Sequence, residues 1–343
     1  MAENNSLCNA IILKDFKLSA ETVELSRRSL KNYDYQKLAL ERVFTEISYL
    51  FKAEKDISQF SSILLNQIPV LKLVKDNFEF NSSRDADFLK GENVEVFRPE
   101  SNNPEYYNYC PRDSVFVYGN AAFATPMAVR CRQKEYQAFA NFLSNLDVIL
   151  PYTNDDLYNL ECIGNPDILA LNEIFASFDA ANIIKANENL LYLVSNSGNK
   201  IGADYLQFLL GKDAAVHTLE NVYSYMHIDS TIAFLKEGLL LANPARIKDK
   251  YQLPRPFCDW DIIWAPEPSD IGHYPGICNA SKWINMNLFS VNPNLVAIEE
   301  HQHGLRMLLE QKGIECAMLP MRQQRTLGGG FHCVTLDIER GKT

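Results

Sequence analysis

"FDAANIIKANENLLYLVSNSGNKIGADYLQFLLGKDAAVHTL", residues 178–219, decides the fold. It reads as strand "FDAANII", turn "KANEN", strand "LLYLVS", a Gly-containing loop, helical "ADYLQFLLG" and strand "AAVHTL". The same order returns at 281–321: "SKWINMNLFSV", turn "NPN", "LVAIEE", helical "GLRMLLEQKG" and "IECAMLPM". It returns again at 113–152 as "DSVFVYG", "NAAFAT", helical "QKEYQAFANFLSNL" and "DVILPY". Residues 227–265 open alike, with "HIDSTIAFL", turn "KEG" and "LLLANP", and reach "CDWDIIWA" through a less regular middle. A fifth unit would set "FHCVTLDI" (331–338) against an N-terminal segment such as "NVEVFRP" (93–99). Repetition of a whole supersecondary unit implies a closed or stacked architecture. The expectation is therefore one α/β ring of four or five ββαβ units; the alternative is an ordinary mixed α/β fold with accidental self-similarity.

The rest of the chain sets bounds. Its 343 residues suffice for two average domains or one large one. At 47% hydrophobic and 22% charged it has the balance of a soluble globular protein. No apolar run approaches the roughly 20 residues of a membrane span. The opening "MAENNSLCN" carries acids and amides where a secretory signal has bases and then an apolar stretch, so a cytoplasmic location is expected. A net charge of −10 disfavours nucleic-acid binding, which needs a basic face, and mildly favours a cationic small substrate. The eight cysteines show no CxxC pair, so neither a disulfide framework nor a zinc cluster is expected, and most read as reduced core residues. From Ser19 to Ile68 the pattern is helical, with Leu38, Leu40, Val43, Ile47 and Leu50 near one face. These helices read as packing or as an interface, and a homodimer is one assembly they would allow.

The reactive side chains fall at equivalent places. Asp113, Asp179, His227, Ser281 and Cys333 open the first strand of each unit. Equivalent positions in a ring converge near its axis, so the repeat alone gathers carboxylates, an imidazole, a hydroxyl and a thiol. Strand alternation puts His227 and Asp229 on one face, and His332 and Cys333 on opposite faces. His332 is therefore expected to face the packed side, leaving His227 as the partner of Cys333, at the sequence distance usual for such pairs.

Such a set suits a planar cation. Carboxylates hold a guanidinium by paired hydrogen bonds. A thiolate can attack its central carbon while a histidine protonates the departing amine. Neighbouring positive charge and backbone N–H groups help the thiolate form. Gly328, Gly329 and Gly330, lacking Cβ, would let backbone and substrate approach the sulfur. Taken alone, Cys333 reads as a buried strand cysteine and Asp113 as a turn residue; the glycines, the carboxylates and His227 together point to a nucleophile. Asp229, in an apolar strand, needs a partner or a function. Arg246 alone reads as a surface base after a proline turn. His301 and His303 in "EEHQHG" lack the i,i+4 spacing of a ligand pair and read as solvated, with Glu299 and Glu300 near a helix N-terminus. "SNNPEYYNYC" reads as a loop bordering the substrate channel.

At this point "FDAAN", "MHIDSTIAFLKEGLLLANPAR", "SKWINMN" and "LGGGFHCVTLD", with "CPRD" and "VYGNAAFATPMAVRCR", resemble the glycine and inosamine-phosphate amidinotransferases of the guanidino-group-modifying superfamily. The resemblance runs from about residue 90 to the C-terminus. It implies a pentein α/β propeller, five ββαβ units around a pseudo-fivefold axis. The chain is then one domain, 1–343, with a divergent, partly helical region at 1–90 and the propeller at 91–343. By the same resemblance Cys333 is the nucleophile, His227 the general acid and base, and Asp179 the residue orienting it. Asp113 and Asp229 are further guanidinium carboxylates, Arg246 binds the donor's α-carboxylate, and Ser281 contacts substrate. Ser224 and Met226 lie where family members differ with their acceptor. Three departures stand out: Asn182 replaces an acid, Ala280–Ser281 replaces a serine pair, and the family's opening strand motif has no counterpart before residue 90. The expected activity is amidino transfer from L-arginine, or another guanidino donor, to an amine in secondary metabolism, by ping-pong kinetics and without metal or organic cofactor. The alternatives are a guanidino hydrolase on the same site, told apart by its product, and a non-catalytic binding protein.

Overall fold

The computed structural model describes residues 85–98, 109–129, 132–143, 146–148, 157–159, 162, 168–273 and 278–340. Among them are four three-stranded sheets, each an antiparallel hairpin followed by a parallel strand. The first holds β1 (Val115–Tyr118), β2 (Ala121–Ala124) and β3 (Leu146–Val148). The second holds β4 (Ile183–Ala186), β5 (Asn189–Leu193) and β6 (Ala215–Leu219). The third is β7 (Ile232–Lys236), β8 (Leu239–Ala242) and β9 (Asp261–Trp264), and the fourth β10 (Phe289–Asn292), β11 (Leu295–Glu299) and β12 (Glu315–Leu319). Left-handed residues close three of the hairpins: Gly119 at φ +57°, Asn187 at +52° and Gly238 at +76°.

Two of the crossovers are α-helices. Lys200–Leu210 joins β5 to β6, its first turn capped where Asn199 Oδ1 accepts the Gly202 N–H at 2.8 Å. His303–Gln311 joins β11 to β12. The first crossover is not the regular helix its sequence pattern suggests, while the third is as irregular as its sequence reads. Between β2 and β3 the chain makes 3-10 turns at Glu135–Ala138 and Ala140–Phe142; between β8 and β9 it makes them at Lys250–Gln252 and Phe257–Asp259.

Each central strand is buried on both faces, which is why "LLYLV" and "LLLA" read as unbroken apolar runs. Alternate residues feed different clusters. Leu190 and Tyr192 of β5 pack with Phe116 and Phe123 of the first unit, whereas Leu191 and Leu193 pack with Leu240 and Phe257 of the third. Leu239 and Leu241 of β8 face Val296 and Ile298 of β11. On the far side of β11, Ala297 and Phe289 pack with Phe331 and Val334. Leu336 and Ile338 then meet Val115, Val117 and Phe139 of the first unit. The apolar clusters thus run from unit to unit and back to the start, which closes the ring.

Among the described residues the fifth position holds no strand. Residues 331–334 form a helical turn in which the Val334 N–H donates to Gly330 O at 3.1 Å, and 93–98 are also irregular. The physical reason lies in Arg112. Its Nε donates to His332 O at 2.7 Å and to Thr335 O at 2.8 Å, taking carbonyls that a strand partner would use. Residues 19–68, and with them the interface reading, lie outside the described residues, as does most of 1–90 and of "SNNPEYYNYC". No helix among the described residues is long and apolar enough to cross a membrane.

Candidate active site

Each unit begins on one helical turn placed ahead of its first strand. Asp113 lies in the turn Pro111–Ser114; Asp179, His227 and Ser281 each precede a 3-10 turn in extended backbone; Cys333 lies in the turn at 331–334. The leading residues therefore open a turn, not the strand itself. Four of the five converge.

His227 links two acids. Its Nε2 is 2.9 Å from Asp179 Oδ2 and its Nδ1 is 3.6 Å from Asp113 Oδ1. Burial works against the imidazolium, but Asp113, Asp179 and Asp229 outweigh it and push His227 up to about 9. Asp113 is held from behind by Arg132, whose Nη1 donates to Asp113 Oδ2 at 2.9 Å. The other face of that buried guanidinium grips Glu135 at 2.8–3.1 Å. Asp113 Oδ1 and Asp179 Oδ1 are buried and have no hydrogen-bond donor among the described residues. Two carboxylate oxygens beside the imidazole thus lack a hydrogen-bond donor, Asp113 Oδ1 having only the longer 3.6 Å contact with His227 Nδ1.

The thiol side is built on Asn287. Asn287 Nδ2 donates to Cys333 Sγ at 3.0 Å, while Asn287 Oδ1 accepts the N–H groups of His332 and Cys333 at 2.9 and 3.1 Å. Cys333 Sγ donates to Asp229 Oδ2 at 3.1 Å. Burial opposes the Asp229 charge, yet His332, His227 and the Cys333 thiol bring its carboxyl down to about 2. A hydrogen bond with Cys110, burial and the Asp229 charge each raise Cys333 above the ordinary thiol range. These surroundings favour the thiol form of Cys333 over the thiolate that attack requires.

His332 corrects another expectation. Its Nδ1 lies 3.4 Å from the same Asp229 oxygen that accepts from Cys333. In a helical turn neighbouring side chains are about 100° apart, not 180°, so His332 and Cys333 share a side. The glycines also act differently from expectation. A Cβ on Gly329 would sit 2.9 Å from Cys110 Sγ and 3.2 Å from Cys333 Cβ, and one on Gly330 would sit 2.8 Å from the Asn287 side chain. They are required by close protein packing around the thiol.

The remaining expected residues divide. Arg246 is half-buried, stacked 3.4 Å over the Tyr223 ring, and donates through Nη1 to Ser230 Oγ and Thr231 Oγ1 at 2.8 and 2.7 Å. Its neighbour Ser230 adjoins Asp229, so the guanidinium stands at the edge of the site. Ser224 accepts the Asn196 N–H through its backbone carbonyl at 2.8 Å; Ser224 and Met226 are half-buried just before His227. Ser281 is exposed and is not brought to the cluster; Asn287, at the end of the 3-10 turn that Ser281 begins, takes its place. Asn182 is structural. It donates to Leu193 O and Ser195 Oγ, accepts from Ser197 Oγ, and so braces the turn bearing Asp179. The exposed His301 and His303 are solvated as expected, but Glu299 is buried and bonded to His301 and Gln302.

Sequence reasoning missed Asn287, Arg112, Arg132 and Cys110. Each lies inside a quoted motif, but nothing in a linear motif says which polar residue points inward. Two clusters of donor atoms of the kind that ligate metals occur among the described residues. Cys110, Asp113 and Cys333 place donor atoms within 4.8 Å of one another, a soft set; Glu299, Glu300 and His301 form the other, near the surface.

Sheets of this ββαβ kind arranged head to tail around a shared polar centre define the pentein fold. No family model matches the chain. It is 38% identical over 253 residues to inosamine-phosphate amidinotransferase 1 of Streptomyces glaucescens, covering 71% of this chain and 72% of that one. It is 31% identical over 280 residues to the L-arginine:L-lysine amidinotransferase of Pseudomonas savastanoi pv. phaseolicola, covering 74% and 76%. The solved inosamine-phosphate amidinotransferase of Streptomyces griseus superposes with a TM-score of 0.72 at 35% identity, over 81% of this chain and 86% of that one. The chain belongs to the amidinotransferase family and is an enzyme that transfers amidino groups between small molecules.

Proposed function

We propose that the enzyme takes the amidino group of L-arginine, or of another guanidino donor, onto Cys333 and passes it to an acceptor amine in a ping-pong cycle. The observation that carries this reading is the pair of unpartnered carboxylate oxygens, Asp113 Oδ1 and Asp179 Oδ1, flanking His227 beside the Cys333 thiol. Buried acceptors without donors are costly unless a ligand supplies the hydrogen. A guanidinium supplies planar N–H donors and positive charge at once.

The bound cation is what lets the thiol ionise, its proton passing by way of Asp229 to the departing amine, which leaves as an ammonium. The thiolate attacks the central guanidinium carbon. As the C–N bond breaks, His227 gives its proton to the leaving amine nitrogen, and an S-amidino group remains on Cys333. In the second half an acceptor ammonium loses a proton to His227, its nitrogen attacks the same carbon, and the C–S bond breaks. The released sulfur takes the second proton of the attacking nitrogen, so Cys333 is again a thiol and His227 again an imidazolium. Arg246 is suited to the α-carboxylate of an amino-acid donor, and Ser224 and Met226 border the acceptor. No metal or organic cofactor enters any of these steps.

Incubation with arginine labelled in its guanidino carbon and a panel of amines, namely glycine, lysine, ornithine and small aminoalkyl compounds, tests the reading by mass spectrometry. Label in a new guanidino product supports it. Label in citrulline, with release of ammonia, or no turnover of arginine at all, overturns it. A cytoplasmic setting and a role in secondary metabolism belong to the same proposal, as does a homodimer.

A further inference from the structure

Cys110 is a second thiol inside the site that the transfer reaction does not use. It caps the turn Pro111–Ser114 that carries Asp113, and both it and Cys333 are 2% exposed and unbridged. Their sulfurs lie within 4.8 Å of one another, although 223 positions separate them in the chain. Gly329 covers the pair; a methyl group there would press on both residues, at 2.9 Å from Cys110 Sγ and 3.2 Å from Cys333 Cβ. None of the other described cysteines is placed this way. Cys278 faces Arg325 and the Ala280 carbonyl, and Cys316 faces the Ile314 carbonyl.

We infer that Cys110 and Cys333 form an oxidative modification site, in which a hydroperoxide converts the two thiols to a disulfide that switches the enzyme off and a dithiol reductant restores it. The Cys333 sulfur attacks one peroxide oxygen, the O–O bond breaks, and the leaving oxygen takes the thiol proton to become water. Cys333 is then a sulfenic acid. The Cys110 sulfur attacks the Cys333 sulfur, the S–O bond breaks, and the hydroxyl leaves with the Cys110 proton as a second water. Two thiols have lost two electrons and two protons, and the peroxide has been reduced to two waters.

Geometry favours closure over further oxidation. A disulfide needs a sulfur separation of about 2 Å and Cβ atoms about 4 Å apart. The two sulfurs start within 4.8 Å of one another, on turns already fastened together by Arg112. Hydrogen peroxide is smaller than the guanidinium the site must admit. Burial and Asp113 push the Cys110 thiol up, and the hydrogen bond with Cys110, burial and Asp229 push Cys333 up, so the oxidation is expected to quicken as pH rises.

The inference takes from the proposed function only that the site admits a guanidinium, and not which donor or acceptor the enzyme uses. The test is oxidation of the intact protein with hydrogen peroxide, alkylation of the remaining thiols, and peptide mapping. The expected result is a Cys110–Cys333 linked peptide, loss of alkylation at both positions, and recovery of both after dithiothreitol. A map in which Cys333 is a sulfinic or sulfonic acid while Cys110 is still alkylated overturns the inference. Cys110→Ser adds a second reading: its Cys333 should pass to forms that dithiothreitol does not reverse. If dithiothreitol restores the variant's Cys333 as fully as that of the parent protein, the resolving role of Cys110 is wrong.

Discussion

Asn287 holds Cys333 at both ends: its Nδ2 donates to the sulfur at 3.0 Å, and its Oδ1 accepts the Cys333 N–H at 3.1 Å. One amide therefore fixes both the backbone and the thiol of Cys333, and its N–H is a neutral donor aimed at the sulfur where the proposed reaction develops charge. Asn287→Asp keeps the acceptor, loses the donor and adds a negative charge. A hydrogen bond to a charged group is worth about 1.5–3 kcal/mol, so kcat/KM should fall roughly 10- to 150-fold. Alkylation of Cys333 by iodoacetamide should slow in parallel, since the thiolate is disfavoured. An unaltered alkylation rate would remove Asn287 from thiol activation.

The pH dependence follows from His227. Its pKa is raised to about 9, so the imidazolium that protonates the leaving amine is present below that pH and lost above it. The kcat/KM for the donor should hold from neutral pH and decline through about pH 9. Stability should follow the same sign. A raised pKa stabilises the folded state fully below the unfolded value of 6.5, and the gain disappears as pH rises through about 9. Thermal unfolding from pH 6 to 10 should therefore show a steeper loss in the parent protein than in His227→Gln. Equal slopes would show that the acids around His227 do not hold it charged.

Arg246 carries a prediction about the donor. Its guanidinium lies on Tyr223 and is tied to hydroxyls, with no carboxylate hydrogen-bonded to it among the described residues. Arg246→Ala should raise the KM for arginine by roughly 10- to 150-fold, the worth of one charge-assisted contact of about 1.5–3 kcal/mol. The KM for decarboxylated arginine should change little. Equal losses with both donors would mean that the substitution acts through Tyr223 packing and not through a carboxylate.

Arg112 tests how the fifth unit is closed. It bonds two carbonyls of the turn at 332–335 and pairs with Asp337 at 3.1 Å. Arg112→Ala leaves Thr335 O without a donor, at about 1–3 kcal/mol, takes one of the donors from His332 O, which Thr335 Oγ1 still reaches at 3.2 Å, and strips Asp337 of a partner. Denaturant unfolding should show a loss of a few kcal/mol, with Arg112→Lys recovering only part, because one ammonium cannot reproduce the planar fork. A loss under about 0.5 kcal/mol, the level of an ordinary surface substitution, would contradict the staple.

The ring was legible because the repeat is physical. Alternation along β5 and β8 serves two clusters at once, so each central strand must be apolar on both faces, and the sequence shows it. Asp179, His227, Asp113 and Cys333 were legible for the same reason, since equivalent positions converge. What escaped was local geometry. The turn at each unit's start is too short for a helical period, so it read as strand, and the side assigned to His332 failed with that reading. Ser281 followed the repeat rule but stays exposed, because the polar residue that reaches the thiol is Asn287, six positions on. Cys110 and Arg132 could not be placed, because their partners come from elsewhere in the ring.

The most direct test of the account is the mass of Cys333 after arginine is added without an acceptor amine. Rapid acid quenching and peptide mapping should find one amidino group on Cys333, lost again when an acceptor is supplied, and absent in a Cys333→Ala protein that still binds arginine. Turnover of arginine with Cys333 unmodified at every time point, or persisting in Cys333→Ala, would contradict it.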